Sequence, residues 1–224
     1  MFSRKILTVG MVLWAGILFL NLAGCTIIFQ KGRRTDIEKI QVLEEEVDRL
    51  AKLKAELEEK LKGIEGVSLS MEQKGLVITF LDEVLFDSGK AKIKSKAYAA
   101  LDKVASVITS KAPDLNIGVE GHTDNVPIKY SGWKSNWELS TARATSVLHY
   151  LIEKGVLPEK LAATGYGEYR PVASNENAEG RRKNRRVEIV ILPEMKKVTQ
   201  EPPKGESVVE ETPQGMLEPA ENLK

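Results

Sequence analysis

The hydrophobic period of this chain changes at two glycines, and that change limits the fold more than any other feature. Upstream of Gly66, the residues Ile40, Leu43, Val47, Leu50, Leu57, Leu61 and Ile64 recur in alternating steps of three and four, with Lys54 filling the one polar place. Such spacing between charged flanks is a heptad seam, and it predicts a coiled-coil helix over residues 36–65, whose seam from Ile40 to Ile64 is on the order of 37 Å long. If the seam self-associates, Lys54 inside it favours a small parallel homo-oligomer at some cost in stability. The alternative is a single helix whose stripe lies on the chain's own globular domain.

Beyond Gly66 the period drops to two. VSLSME and GLVITF read as paired strands around a turn at Gln73 to Gly75. Ile93, Ala97, Leu101, Val104 and Ile108 then trace a helix stripe that Pro113 ends. LNIGVEG is a strand, a second helix starts near Ser135, KLAATGYG opens another strand, and RRVEIVIL is the last. The order β-β-α-β-α-β-β predicts an α+β fold, an α/β sandwich with helices over one face of a mixed sheet, across residues 67–192.

The helix near Ser135 carries the most unusual residue. Ser135 and Glu138 form an S-x-x-E capping box, with Asn136 as an alternative cap. Leu139, Val147 and Leu151 recur at multiples of four with Tyr150 beside them, and Arg143 falls inside that apolar stripe. A guanidinium facing a core is costly unless paired, so a carboxylate from the protein or from a ligand is expected opposite it. The plainer alternative is an arginine at the stripe's edge, reaching water and a surface glutamate. Asp124 stands in the loop just before this helix, past a strand's carboxyl end, which is a common place for a site. One carboxylate and one guanidinium suit the two ends of a zwitterion, since the planar fork of arginine can hold a carboxylate by two parallel bonds and lysine cannot.

GHTDN from Gly121, NWELSTARA from Asn136 and NRRVEI from Asn184, with LFDSGKAKI from Leu85 and ATGYGEYRPVASN from Ala163, resemble the signature of the OmpA-like C-terminal domain family. The resemblance runs from about Leu76 to Leu192. It implies peptidoglycan as the partner, bound through the diaminopimelate of the stem peptide, with Asp124 facing the ligand ammonium and Arg143 its carboxylate. Thr123, Asn136, Asp87 and Arg185 occupy family positions close to that pocket, where a turn, a cap or a surface ion pair is an equally good account of each. The segment NVPIKYSGWKS from Asn125 is longer than the usual OmpA-like connection and resembles the corresponding loop of MotB-like flagellar stator proteins. Tyr130 and Trp133 in it either lie over a bound glycan or pack the loop onto its own domain.

The N-terminus decides the setting. Arg4 and Lys5 precede an apolar run from Ile6 to Leu20 and then LAGC at Leu22 to Cys25, which reads as a secretory signal over residues 1–24. LAGC resembles the lipobox of bacterial lipoproteins, which implies cleavage before Cys25, acylation of its thiol and a lipid anchor, with residues 25–35 as linker. An uncleaved signal anchor is the alternative. Acyl chains at Cys25 would hold the protein firmly, because two already anchor stably. Thr26, in place of aspartate, favours the outer membrane by the same resemblance. Residues 193–224, rich in Pro, Glu, Lys and Gln and devoid of aromatics, predict a disordered tail.

Composition excludes several classes. A formal charge of +1 over 224 residues argues against a general nucleic-acid binder, and RRKNRR from Arg181 is expected to solvate a strand entrance. With only His122 and His149 as imidazoles and Cys25 as the one thiol, no enzyme is expected, although His122, Asp124 and Ser140 look like fragments of a hydrolase triad. No metal or cofactor is expected. The reading is an outer-membrane lipoprotein that tethers envelope to wall; its rivals are a stator component and a coiled-coil scaffold. A stator needs a protonatable carboxylate in its spanning helix, and Ile6 to Leu20 contains none.

Overall fold

The computed structural model describes residues 36–129 and 131–194; the signal segment, Cys25, Tyr130 and the tail beyond Glu194 lie outside the described residues. A helix, α1, covers 36–61. The chain then forms β1 (Val67–Glu72), β2 (Gly75–Leu81), a single turn α2 (Asp82–Leu85), α3 (Tyr98–Lys111), β3 (Ile117–His122), α4 (Asn136–Glu153), β4 (Leu161–Gly165), α5 (Ala178–Asn184) and β5 (Arg186–Ile191). The expected β-β-α-β-α-β-β order holds, and the fold is α+β. The additions are the short helices α2 and α5. RRKNRR does not enter a strand directly: most of it is α5, capped by Asn177, whose side chain accepts from the Gly180 N–H at 2.7 Å.

The sheet order is β1-β2-β5-β3-β4. All pairs are antiparallel except β3 with β4, which α4 connects as a crossover. Alternation sorts the strand residues by face. Leu76, Ile78, Phe80, Ile117, Val119, Val187, Ile189 and Ile191 share one hydrophobic core with Leu101, Val104 and Ile108 of α3 and Val147 and Leu151 of α4.

That core also takes in α1. Leu50, Leu53, Leu57 and Leu61 are buried in it, so the carboxyl-terminal half of the seam packs on the chain's own domain. Arg49 holds Asp114 through both terminal guanidinium nitrogens at 2.8 and 2.5 Å, and Lys103 donates to the Lys60 carbonyl at 2.8 Å. These contacts run α1 antiparallel to α3. Leu53, outside the heptad seam, is 4% exposed, because packing on a sheet-and-helix surface buries a wider stripe than a partner helix does. Ile37, Ile40, Leu43 and Val47 remain exposed. Lys54 does not sit in a core; its ammonium pairs with Glu58 one turn on. Gly63 and Gly66, at φ 81° and 79°, turn the chain from α1 into β1.

Two glycines set how closely α4 lies on the sheet. Gly121 of β3 pairs with Gly165 of β4. A Cβ on Gly121 would stand 2.1 Å from the Ser140 carbonyl oxygen, and one on Gly165 would stand 2.2 Å from Thr141 Oγ1. The first turns of α4 therefore rest directly on backbone, next to the carboxyl end of β3. Among the described residues no helix is long and apolar enough to cross a membrane.

Candidate functional site

Strand register assembles the site. Leu81, Arg186 and His122 are neighbours across β2, β5 and β3 at one end of the sheet. Asp82 follows β2, Arg185 precedes β5, and Thr123 and Asp124 follow β3, so all four emerge at the same edge. The Asp82 N–H donates to the Arg185 carbonyl at 2.9 Å, tying two of these exits together. With α4 seated on the glycine pair, Asn136 and Arg143 close the opposite wall. The resulting cavity, about 630 Å³, is lined by all six residues singled out in the sequence, Asp87, Thr123, Asp124, Asn136, Arg143 and Arg185, and by Asp82. Its size suits a small ligand.

Arg143 is 2% exposed, so the guanidinium does face inward. Its carboxylate comes from the protein: Nη2 lies 2.9 Å from Asp82 Oδ2, Nε donates to the Lys90 carbonyl at 3.0 Å, and the group stands 5.2 Å from the Phe86 ring centre. Among the described residues these contacts engage Nε and Nη2 and leave Nη1. The fork expected to grip a ligand by two bonds is thus largely engaged already. Burial lowers the Arg143 pKa, opposed by the Asp82 charge. Burial also pushes Asp82 up from 3.8 to about 6, against the pull of Arg143, Arg185 and Lys94. Among the described residues Asp82 Oδ1 and Thr123 Oγ1 are buried with no hydrogen-bond partner, and both residues line the cavity.

Asp124 is 7% exposed. Its Oδ2 takes a 2.6 Å bond from Arg185 Nη1, and its Oδ1 accepts from the Val126 N–H at 3.1 Å. Arg185 is the more exposed partner, with 37% of its side chain accessible. Asn136 is no cap. Ser135 caps α4 by accepting from the Glu138 N–H, while Glu138 reaches back to the Lys134 N–H rather than to that of Ser135. Asn136 instead turns its amide inward and donates to the carbonyls of Asp124 (3.3 Å) and Val126 (3.1 Å) and to Glu168 Oε2 (2.8 Å). Asp87 keeps to the rim, 60% exposed and paired with Lys94 at 3.2 Å. The loop packs on its own domain through Trp133, whose Nε1 donates to the Gly89 carbonyl at 2.9 Å, and Val126 to Lys129 form a cavity wall.

The residue that sequence reasoning missed is Asp82. The demand for a carboxylate was legible in Arg143, but no local pattern separates Asp82 from its acidic neighbours until β2 and α4 meet. The triad fragments do not assemble. His122 stacks on Tyr166 with 5.2 Å between ring centres and, among the described residues, has no hydrogen bond from either nitrogen, while Ser140 Oγ donates to the Trp137 carbonyl and accepts from the Gly167 N–H. Burial pushes the His122 pKa down to about 3, so the ring is neutral. On the sheet face away from the helices, Glu120, His122 and Glu188 bring ligand-type atoms within 4.8 Å of one another. Lys74 reaches Glu120 at 2.8 Å and Glu188 at 2.5 Å, and Arg186 bonds Glu188 at 2.6 Å, so cations of the protein already neutralise that cluster.

Comparison with known proteins places this geometry. The OmpA family model matches residues 85–185. Motility protein B of Bacillus subtilis (strain 168) is 43% identical over 162 residues, covering 72% of this chain and 59% of that protein. "Probable lipoprotein YiaD" of Escherichia coli (strain K12) is 36% identical over 139 residues, covering 62% of this chain and 61% of that one. The chain thus spans about three-fifths of the length of these curated relatives. The solved cell wall anchor of the T6SS from Pseudomonas aeruginosa superimposes with a TM-score of 0.58 at 31% identity, over 63% of this chain and 97% of that structure.

Proposed function

The chain belongs to the OmpA family, and on that premise we propose that it is a lipid-anchored outer-membrane protein that grips peptidoglycan non-covalently and tethers the envelope to the wall. The observation that carries this reading is the mixed-charge cavity in which Asp124 and Arg143 stand with Asp82, Thr123, Asn136 and Arg185. The free end of a diaminopimelate carries one ammonium and one carboxylate. Asp124 faces the ammonium, displacing the exposed head of Arg185, and Oδ1 of Asp82, with no partner among the described residues, offers a second acceptor. The ligand carboxylate takes the Nη1 edge of Arg143. Similarity to a lipoprotein and to a cell wall anchor supports both halves of the reading. Cys25, behind LAGC, is the proposed lipid site.

A second reading, a stator component of a motor, is favoured by the 43% identity to a motility protein. Against it stands the absence of any carboxylate between Ile6 and Leu20. The wall-binding site is common to both readings, so one test addresses it. The full chain in detergent is sedimented with purified sacculi, with free diaminopimelate as competitor, for the wild type, Asp124→Ala and Arg143→Lys. Lysine keeps a cation opposite Asp82 but lacks the fork. Each variant is expected to weaken binding by at least about 2 kcal/mol, roughly thirtyfold, while melting as a folded protein. Variants that melt normally and sediment like the wild type overturn the assignment.

A further inference from the structure

We propose that the exposed ring pair Trp137 and Tyr169, beside the cavity, is a shelf on which a pyranose ring of the glycan strand stacks. This rests on the wall-binding reading and adds a second class of ligand, a sugar, to the same edge of the protein. Trp137 is 47% exposed and Tyr169 65%, yet the rings lie parallel within 22° at 5.0 Å between centres. Two large aromatics held together in water leave apolar ring surface facing solvent, and such surface next to a polar pocket marks a contact area.

The shelf is continuous with the cavity. Trp137 follows Asn136, whose amide binds both the Asp124 carbonyl and Glu168, the residue before Tyr169. Val126, 50% exposed, lines the cavity and accepts from the same Asn136 amide, extending the apolar margin. The rings are also preordered. The loop bearing Tyr169 is fastened by Gly167, whose N–H donates to Ser140 Oγ at 3.0 Å and whose carbonyl accepts from the Thr123 N–H at 2.9 Å. Arg170, 3.8 Å above the Tyr166 ring centre, pins the same loop. Rings already fixed lose little freedom on binding, so contact area becomes affinity.

Reach and chemistry select a sugar as occupant. Trp137 and Arg143 are six residues apart on α4, about 9 Å along its axis. Three extended residues span roughly 10 Å, so a short peptide held at Arg143 reaches far enough to bring the sugar it hangs from to this shelf. A pyranose presents a C–H face that packs on an aromatic ring and hydroxyls that suit a polar rim, here the Glu168 carboxylate.

The test compares two probes by calorimetry on the full chain in detergent: a diaminopimelate-containing stem peptide, and the same peptide still joined to its N-acetylated disaccharide. The wild type is expected to bind the sugar-bearing probe about tenfold tighter, a gap of the size an aromatic contact supplies. Trp137→Ala and Tyr169→Ala, with unchanged melts, should erase the gap and leave the bare peptide's affinity as it was, whereas Trp137→Phe and Tyr169→Phe should keep most of it. Equal wild-type affinity for the two probes, or a gap that survives both alanine variants, overturns the shelf while leaving the pocket standing. If the wild type ignores the bare peptide as well, the wall-binding reading fails and the shelf falls with it.

Discussion

At the scale of single residues, the pair Asp82 and Arg143 sets the character of the site. Burial holds the folded-state pKa of Asp82 at about 6 against an ordinary 3.8, so the folded protein binds that proton more tightly than the unfolded chain. The contribution is fully present below pH 3.8 and is lost as pH rises through about 6. It amounts to about 3 kcal/mol at 1.36 kcal/mol per pKa unit. Asp82→Asn is expected to flatten this window. Denaturant melts of the two proteins at half-unit pH steps should show a stability difference that changes across the window and is constant above pH 7. An identical slope in both proteins would mean that Asp82 ionises as a solvated carboxylate. The need for a counter-charge could be read from Arg143 in the stripe of Leu139 and Val147; its identity could not, because Asp82 lies 61 residues away in sequence.

At the scale of elements, α1 combines two environments. Its carboxyl-terminal half contributes Leu50, Leu53, Leu57 and Leu61 to the domain core, while Ile37, Ile40, Leu43 and Val47 leave an apolar stripe in water. We propose that the amino-terminal half self-associates through the exposed stripe. Leu57→Ala, at a fully buried position, is expected to cost about 2–5 kcal/mol of stability, read as a fall in melting temperature. Leu43→Ser combined with Val47→Ser should leave the melt within about 0.5 kcal/mol. The same double variant should lower the mass found by sedimentation of the detergent-solubilised chain. If the wild type already sediments as a monomer at tens of micromolar, a common range for protein association, the stripe serves something other than a second copy. Three-four spacing cannot distinguish a partner helix from the protein's own sheet, since both reward the same apolar face. The contacts of Arg49 with Asp114 and of Lys103 with the Lys60 carbonyl are what place the lower half.

At the scale of the whole molecule, the proposed lipid at Cys25 precedes α1 in the chain, and the proposed wall-binding pocket lies at the edge of the sheet. Cys25→Ser is expected to abolish incorporation of labelled palmitate and to move the protein from the membrane fraction to the soluble one; label retained on the serine variant would place the lipid elsewhere. The period-two runs VSLSME and GLVITF, the capping serine of α4 and the placement of Asp124 beyond a strand were determined by the sequence itself, because each follows from local geometry: side-chain alternation, an unpaired first turn, a chain leaving a sheet. Short elements escaped that reading. The single turn of α2 and the polar helix α5 carry no apolar period, and their ends are held by distant groups, as when Arg182 of α5 bonds Glu83 of α2 at 2.8 Å. Only the tertiary structure decided that Asp82, Asp124 and Arg185 share one cavity with Arg143. The insertion of β5 between β2 and β3 brings three strand ends to one edge, and the contact of Gly121 with Ser140 seats α4 against it. Both depend on packing between segments far apart in the chain, where no local rule of sequence reaches.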